Sequence, residues 1–450
     1  MESLSVNHPP VAIVGGGVAG ITAAFHLSQW GIPTVLFERS NQLGGRIRSS
    51  FDDEFGTELD LGVHIIAGAY TEFLRLLRAF GTDGDLHWVR PLHLPFKAVD
   101  TPTYHLHFRR LPGILGPLTG LLTYRALSFS ERLHLAIQLL RLASKQHVPA
   151  ISTETWLSRI GATPMQASRF WDPLILATLN SLPNQIGLSS LHQVVKRGLS
   201  QSGGFALGIP LKPWQSIVGD AAQNYLKRHG VDIRLNSKAK QIIIEGGQAR
   251  GLLVNGEQVP ASAVVLAVSP WDWKSILTPE QLELLLDRAW LSPPSSAVHS
   301  VHSLFETEEP PTTAAMFGLW GTVNQWVFAQ RLESHRPLWR ISTVMSASDG
   351  LLTQPENQII SMTIRELHAL WPDFRCEPSK VRCVRIQHAT CPFDADFEKR
   401  RPSQKTRITG LFLAGDATAT GLPATLESAA RSGLLAAQIL REEHRRRSDA

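Results

Sequence analysis

A chain of 450 residues with 43% apolar and 18% charged residues is too long for one small core and too apolar for extended disorder. Its formal net charge of +5 is spread out, without the interleaved basic and aromatic block of a nucleic-acid reader. An anionic membrane surface as partner, or no partner at all, stays open. Three cysteines without metal-ligand or Cys-x-x-Cys spacing exclude a disulfide scaffold and a thiolate metal centre, and suit a reducing compartment.

The first ten residues, MESLSVNHPP, lack the charged-then-apolar layout of a signal peptide. Residues 11–14 read as a short buried strand, 19–30 as a helix after a glycine turn, and 34–38 as a second strand, which makes a βαβ unit. Residues 111–200 are predicted to be helical and mainly apolar, broken by prolines at 112, 117, 149, 164 and 173. Strands follow at 231–235, 241–245 and 251–254, with Gly246-Gly247 and Asn255-Gly256 as hairpin turns. Residues 264–268 form another buried strand, stopped by Ser269-Pro270. Helices and strands alternate from 276 to 390, and a strand at 411–414 leads into a last helix at 426–441. The end, Arg445 to Ala450, reads as a solvated, frayed tail. No apolar run approaches the ~20 residues that span a bilayer.

Gly15-Gly-Gly17-Val-Ala-Gly20 stands between a strand and a helix, where a dinucleotide fingerprint has to be. Gly15 permits the tight turn, Gly17 lets the backbone approach a pyrophosphate, and Gly20 lets helix and strand pack closely. Glu38 ends the second strand, placed to accept hydrogen bonds from ribose hydroxyls. Gly44-Gly45-Arg46 reads either as a plain turn or as a second approach to the cofactor, with the guanidinium near a pyrophosphate or ring edge. A simple NAD fold has no such element. Leu411-Phe-Leu-Ala-Gly415-Asp416 is a strand ending in an acid that can bond a ribityl or phosphate group. Gly421-Leu-Pro-Ala424-Thr425-Leu-Glu427 then opens a helix whose amides can face a flavin ring. The dinucleotide expected is FAD.

With these residues in view, the chain resembles the flavin amine oxidase and carotenoid desaturase superfamily. More narrowly it resembles the squalene-associated FAD-dependent desaturases, the hydroxysqualene dehydroxylases. The narrower likeness rests on Glu58-Leu-Asp-Leu-Gly-Val-His64 with Gly68-Ala-Tyr70, on Leu92-His-Leu-Pro, and on Phe170-Trp-Asp-Pro-Leu-Ile-Leu-Ala-Thr-Leu-Asn180. Gln325-Trp-Val-Phe328 and Leu422 to Gly433 extend it. Where the family reads Asp-Asn-Gly-Gln-His, this chain has Asp60-Leu-Gly-Val-His64, and Cys391 replaces an expected aromatic residue.

The resemblance implies an α/β protein with a discontinuous Rossmann-like FAD domain (1–90, 205–272, 405–450) and a second, α+β substrate domain (91–204, 273–404). It implies reductive removal of the hydroxyl of hydroxysqualene, a step towards squalene and hopanoids. A carotenoid or phytoene-type desaturase or isomerase is the alternative, followed by a flavin amine oxidase or a prenyl-lipid escort without chemistry. The loop carrying His64 passes beside the flavin in the superfamily, so His64 reads as a proton donor or as a residue shaping the pocket. Asp60 reads as structural. Asp172 and Asn180 read as polar groups in an apolar cavity, or Asp172 as a helix cap. Residues 111–122, flanked by Arg109, Arg110, Arg125 and Arg132, read as buried core or as a shallow membrane-dipping segment. The localisation expected is cytoplasmic and peripheral to the inner membrane, with an isoprenoid lipid and an anionic membrane surface as partners, and no metal or nucleic acid.

Overall fold

A computed structural model describes residues 9–201 and 203–448. The signal-peptide reading of residues 1–8 lies outside the described residues, as do the last two positions of the tail.

The strand β1 (Val11–Val14), the helix α1 (Val18–Gln29) and the strand β2 (Thr34–Phe37) form the expected βαβ unit. They belong to a five-stranded parallel sheet in the order Asp232–Arg234, β2, β1, Ala263–Leu266, Leu411–Leu413. All four residues of β1 are buried because both faces of the sheet are covered. Val11 and Ile13 pack with α1 and the C-terminal helix Leu426–Ser448. Ala12 and Val14 pack with a three-stranded antiparallel layer at 239–260. That layer turns at Gly246-Gly247 and Asn255-Gly256, all in left-handed backbone, as the turn signals predict.

The C-terminal helix lies against α1. A Cβ on Gly433 would sit 2.2 Å from the Ala19 carbonyl oxygen, so a side chain there would push the helices apart. The helix runs through Ser448, past the expected end at 441. Residues 445–448 are therefore helical rather than frayed, as i,i+4 backbone bonds carry the charged end onward.

A second sheet of seven strands is mostly antiparallel. It carries Glu356–Leu370 on one face and meets the helical region on the other. The helix α2 (Glu72–Phe80) packs with α1 and the C-terminal helix, whereas the helical region holds α3 (Leu115–Thr123), α4 (Phe129–Ser144) and shorter helices up to Ser200. Pro112, Pro149 and Pro164 fall at breaks as expected, Pro164 in the first turn of a new helix, where the missing N–H costs nothing. Pro117 and Pro173 do not break the region: Pro117 lies early in α3, and Pro173 follows a π-turn at Ala167–Trp171 that runs straight on into Asp172–Leu179. No described helix is long and apolar enough to cross a membrane.

Candidate active site

A cavity of about 670 Å³ runs from the glycine turn after β1 into the helical region. At one end Gly15, Gly17, Glu38, Gly44, Gly45 and Arg46 line it, joined by Gly415, Asp416, Ala424 and Thr425 from the C-terminal stretch. Residues nearly 400 positions apart thus share one wall. Gly15 has φ of +107°, open to glycine at little cost. Gly20 does not line the cavity. A Cβ there would sit 1.9 Å from the Gly15 carbonyl, so its part is the close packing of helix on turn.

Glu38 is 8% exposed and already serves the fold. One carboxylate oxygen accepts from the Gly16 amide at 2.7 Å, the other from the Ser40 amide and hydroxyl at 2.8 Å. The oxygen that accepts from Gly16 keeps a lone-pair site for a further donor, while the other is filled by Ser40. Beside Gly17 the nearest atom to an added Cβ is 3.9 Å away, so there is open room next to the helix N-terminus. That room, with Glu38 at the strand end, fits a dinucleotide.

Arg46 and Asp416, each read from the sequence as a separate cofactor contact, hold one another at 2.5 Å. The second guanidinium nitrogen donates to the Ala389 carbonyl at 2.7 Å, and the Trp271 ring lies 5.9 Å from the guanidinium carbon. Burial works against the charge of Arg46, but Asp416 outweighs it and raises the pKa. The pair clamps the second glycine turn to the C-terminal strand. Cys391 is 4% exposed and close enough to feel both charges. Burial, reinforced by Asp416, pushes its thiol far above the usual range.

The next stretch of wall carries Gly62, Val63 and His64. His64 Nδ1 lies 2.8 Å from the Gly62 carbonyl oxygen. A carbonyl only accepts, so Nδ1 carries the proton and Nε2 of the neutral ring is a bare acceptor. Burial lowers the His64 pKa, against the pull of the Gly62 carbonyl and Asp60, and Arg46 lowers it further. Asp60 itself makes no hydrogen bond to His64. It accepts from the Ser49 hydroxyl and the Trp214 amide, which ties a β-hairpin to the stretch behind it. Opposite, Thr425 caps the C-terminal helix by accepting from the Ser428 amide at 3.2 Å. Glu427 accepts from Thr71 and from the Glu72 and Phe73 amides, capping α2.

Beyond His64 the cavity becomes apolar, walled by Leu94, Phe96, Phe170, Leu174, Trp326 and Phe328 among others. Pro117, Leu121, Tyr124 and Leu139 bring α3 and α4 to it. Leu121 is 3% exposed and faces inward, whereas Leu111, Ile114, Leu115 and Leu122 are exposed. Residues 111–122 are therefore not simply buried core. Asn180 lines the cavity, but its amide is spent within the protein. It donates to the Ser296 carbonyl and Thr390 hydroxyl and accepts from the Ala347 amide. Asp172 does not line the cavity and makes no cap hydrogen bond.

Sequence reading missed two cations on the wall. Arg169 lies 4.4 Å from the Trp320 ring centre and 5.7 Å from that of Tyr104, whereas Arg197 lines the wall within reach of the charges of Glu427 and Arg431 on the C-terminal helix. Nothing in their helical spacing marks them out. It also missed Ser237 and Lys238, which follow the strand Asp232–Arg234 at the carboxyl edge of the parallel sheet. That edge was a signal available in the pattern.

Comparison with known proteins agrees with this geometry. The hydroxysqualene dehydroxylase of Sinorhizobium fredii is 28% identical over 440 residues, covering 96% of this chain and 98% of its own. The 15-cis-phytoene desaturase of Solanum lycopersicum is 24% identical, covering 96% of this chain and 78% of its own. Among solved structures, an oxidoreductase from Methanosarcina mazei superposes with a TM-score of 0.74 at 16% identity, over 96% of this chain and all of that one. That last likeness bears on the fold alone, a Rossmann-like FAD domain joined to a second domain. The protein is an FAD-dependent oxidoreductase. The model of the flavin containing amine oxidoreductases matches residues 18–441, and the chain belongs to that family.

Proposed function

We propose that the protein reductively dehydroxylates an allylic isoprenoid alcohol, hydroxysqualene to squalene, drawing the lipid from an anionic membrane surface on the cytoplasmic side. The observation that carries this reading is the continuity of the glycine-loop end with a long apolar hollow. FAD is held in the proposal by Gly15, Gly17, Glu38, Gly44, Gly45, Arg46, Gly415, Asp416, Ala424 and Thr425, with Gly20 setting the helix against the turn. When bound and reduced, FAD supplies the hydride equivalent that replaces the hydroxyl.

The chain's own part is to bind, exclude water and move one proton. The apolar wall keeps water from the delocalised allylic cation that forms as the C–O bond breaks. His64 stands where the FAD half meets the apolar half. As imidazolium it can give its Nε2 proton to the departing oxygen, which leaves as water. Its lowered pKa makes that imidazolium a stronger acid and a scarcer one at neutral pH.

An amine substrate fits less well. Arg169 would repel an ammonium in the apolar half, and the acids on the wall (Glu38, Asp272, Asp416, Glu427) are already engaged by partners within the protein. The phytoene desaturase relatives favour a second reading, oxidation of a polyene by the same site. One anaerobic experiment separates the two. The flavin is reduced with dithionite, hydroxysqualene is added, and extracted lipids are weighed by mass spectrometry. Squalene, with the flavin returned to its oxidised colour, is the expected result. Unchanged lipid with flavin still reduced would sink the dehydroxylase reading, and bleaching of oxidised flavin by phytoene in a parallel anaerobic sample would put the desaturase reading in its place.

A further inference from the structure

Of fifteen large apolar side chains exposed in the described structure, seven fall within residues 111–137. That is nearly half of them on a short stretch of chain, so this surface differs in kind from the rest. Leu111, Ile114, Leu115 and Leu122 recur at helical spacing along α3 and its approach. Phe129, Leu133 and Ile137 recur every four residues on α4, and Phe129 is 69% exposed. The two helices pack side by side. Each therefore turns one apolar stripe to solvent while its other side walls the cavity, at Pro117 and Leu121 on α3 and at Leu139 on α4. A single layer of helix separates the outer apolar surface from the inner one.

The charges around this surface are one-sided. Arg109, Arg110 and Arg125 are exposed beside or within the stretch, and Arg132 is turned onto the Leu122 and Leu127 carbonyls, against a single acid, Glu131. Glu131 is turned inward to the Ser128 and Thr163 hydroxyls. An apolar stripe rimmed by arginines suits a bilayer with anionic headgroups, the stripe in the acyl boundary and the guanidiniums at phosphate level. We propose that α3 and α4 together are the docking platform for an anionic lipid bilayer, and that lipid enters the cavity between them without crossing water. The proposal rests on the isoprenoid reading for the passage of substrate, but not for the docking itself. Sequence reading reached only the α3 half, because the stripe on α4 sits on a helix whose opposite face is equally apolar.

Flotation with vesicles of phosphatidylglycerol and phosphatidylethanolamine, free of substrate, tests the docking. Holoenzyme is expected to float with them, to float poorly with phosphatidylcholine alone, and to be released as salt shortens the screening length to about 3 Å near 1 M. Phe129→Asp with Leu133→Asp should weaken binding at least tenfold, with flavin content and melting temperature unchanged. Leu284→Asp, exposed elsewhere, should leave it intact. The double variant should also turn over detergent-dispersed lipid normally and vesicle-borne lipid slowly. Undiminished flotation of the double variant overturns the platform. So does a wild-type dimer that the double change splits while vesicles bind neither form, since a second copy would then be the occupant. Absence of turnover with normal flotation would instead count against the reaction and leave the platform standing.

Discussion

His64 shows how one short contact constrains chemistry. With Nδ1–H committed to Gly62, the ring donates from Nε2 only when doubly protonated, and burial holds that state below the ordinary value of 6.5. Squalene formation is therefore expected to rise as pH falls from 8 towards an inflexion below 6.5, because the donor form fills in that direction. His64→Phe should keep FAD bound and reducible, slow reoxidation by hydroxysqualene at least a hundredfold, and flatten the pH profile. Anaerobic rapid mixing reads all three, and a rate within about threefold of the parent would leave His64 only a shaping role. The thiol of Cys391, buried and held protonated beside Arg46 and Asp416, is a poor nucleophile. FAD should accordingly leave with the supernatant on acid precipitation, and a yellow pellet would contradict this. At this scale the sequence shows which residues gather at the site but not how they are spent. Glu38, Arg46 and Asp416 all line the cavity, yet each also holds backbone or a partner, a division set by distances no spacing encodes.

At the scale of elements, the glycine fingerprint separates two kinds of failure within six residues. Gly17→Val puts its side chain into open room, so the chain should fold with nearly the parent melting temperature and purify without flavin. Gly20→Ala drives a Cβ into the Gly15 carbonyl and should destabilise the chain by about 1–3 kcal/mol, the usual cost of overpacking. Flavin absorbance per chain and a melting curve distinguish them, and stoichiometric FAD in Gly17→Val would refute the placement of the pyrophosphate. Elements with strong local signals are legible: β1, α1 and β2 fall within a residue of expectation, as do the hairpins at Gly246-Gly247 and Asn255-Gly256. The strands His93–Lys97 and Tyr104–His107 were not foreseen. They are short and pair with each other as an edge hairpin, joined to the rest of the sheet only through Phe317–Leu319, more than 200 residues downstream. Two prolines of the helical region break nothing for a different reason, since Pro117 stands in the first turn of α3 and Pro173 follows a π-turn, where the regular hydrogen-bond ladder is already interrupted.

For the molecule as a whole, buried neutral histidines set the response to acid. His299 and His302 lie within the strand Ser296–Glu306 of the large sheet, and His192 within the helix Leu188–Ser200. Burial lowers all three, His302 down to about 3. Their unfolded counterparts titrate near 6.5, so below that pH the unfolded chain binds protons that the folded one refuses. The stability these groups support is complete above 6.5 and drains as pH falls, by about 1.4 kcal/mol per pH unit for each fully neutral ring. Melting temperature should thus drop between pH 7 and pH 5, and His302→Gln should make the drop shallower. An equal slope in the variant would show that His302 is not the group responsible. That the first and last strands share one parallel sheet was legible from motif order, because strand, glycine turn and helix recur at each end of the chain. The arrangement of the seven-stranded sheet was not, since its long-range pairings leave only weak alternation along each strand.

The joining of the two ends has a consequence in time. Leu411–Leu413 completes the parallel sheet beside Ala263–Leu266, Gly433 sits against α1, and Arg46 finds its carboxylate 370 residues downstream. While the chain is being made, the first glycine turn waits with its wall missing until residues 411–433 have emerged. On the proposed placement of FAD, flavin capture is expected only after that point. A message cut short anywhere before the last strand is expected to yield a product that carries the most recognisable nucleotide signature in the sequence and holds no nucleotide.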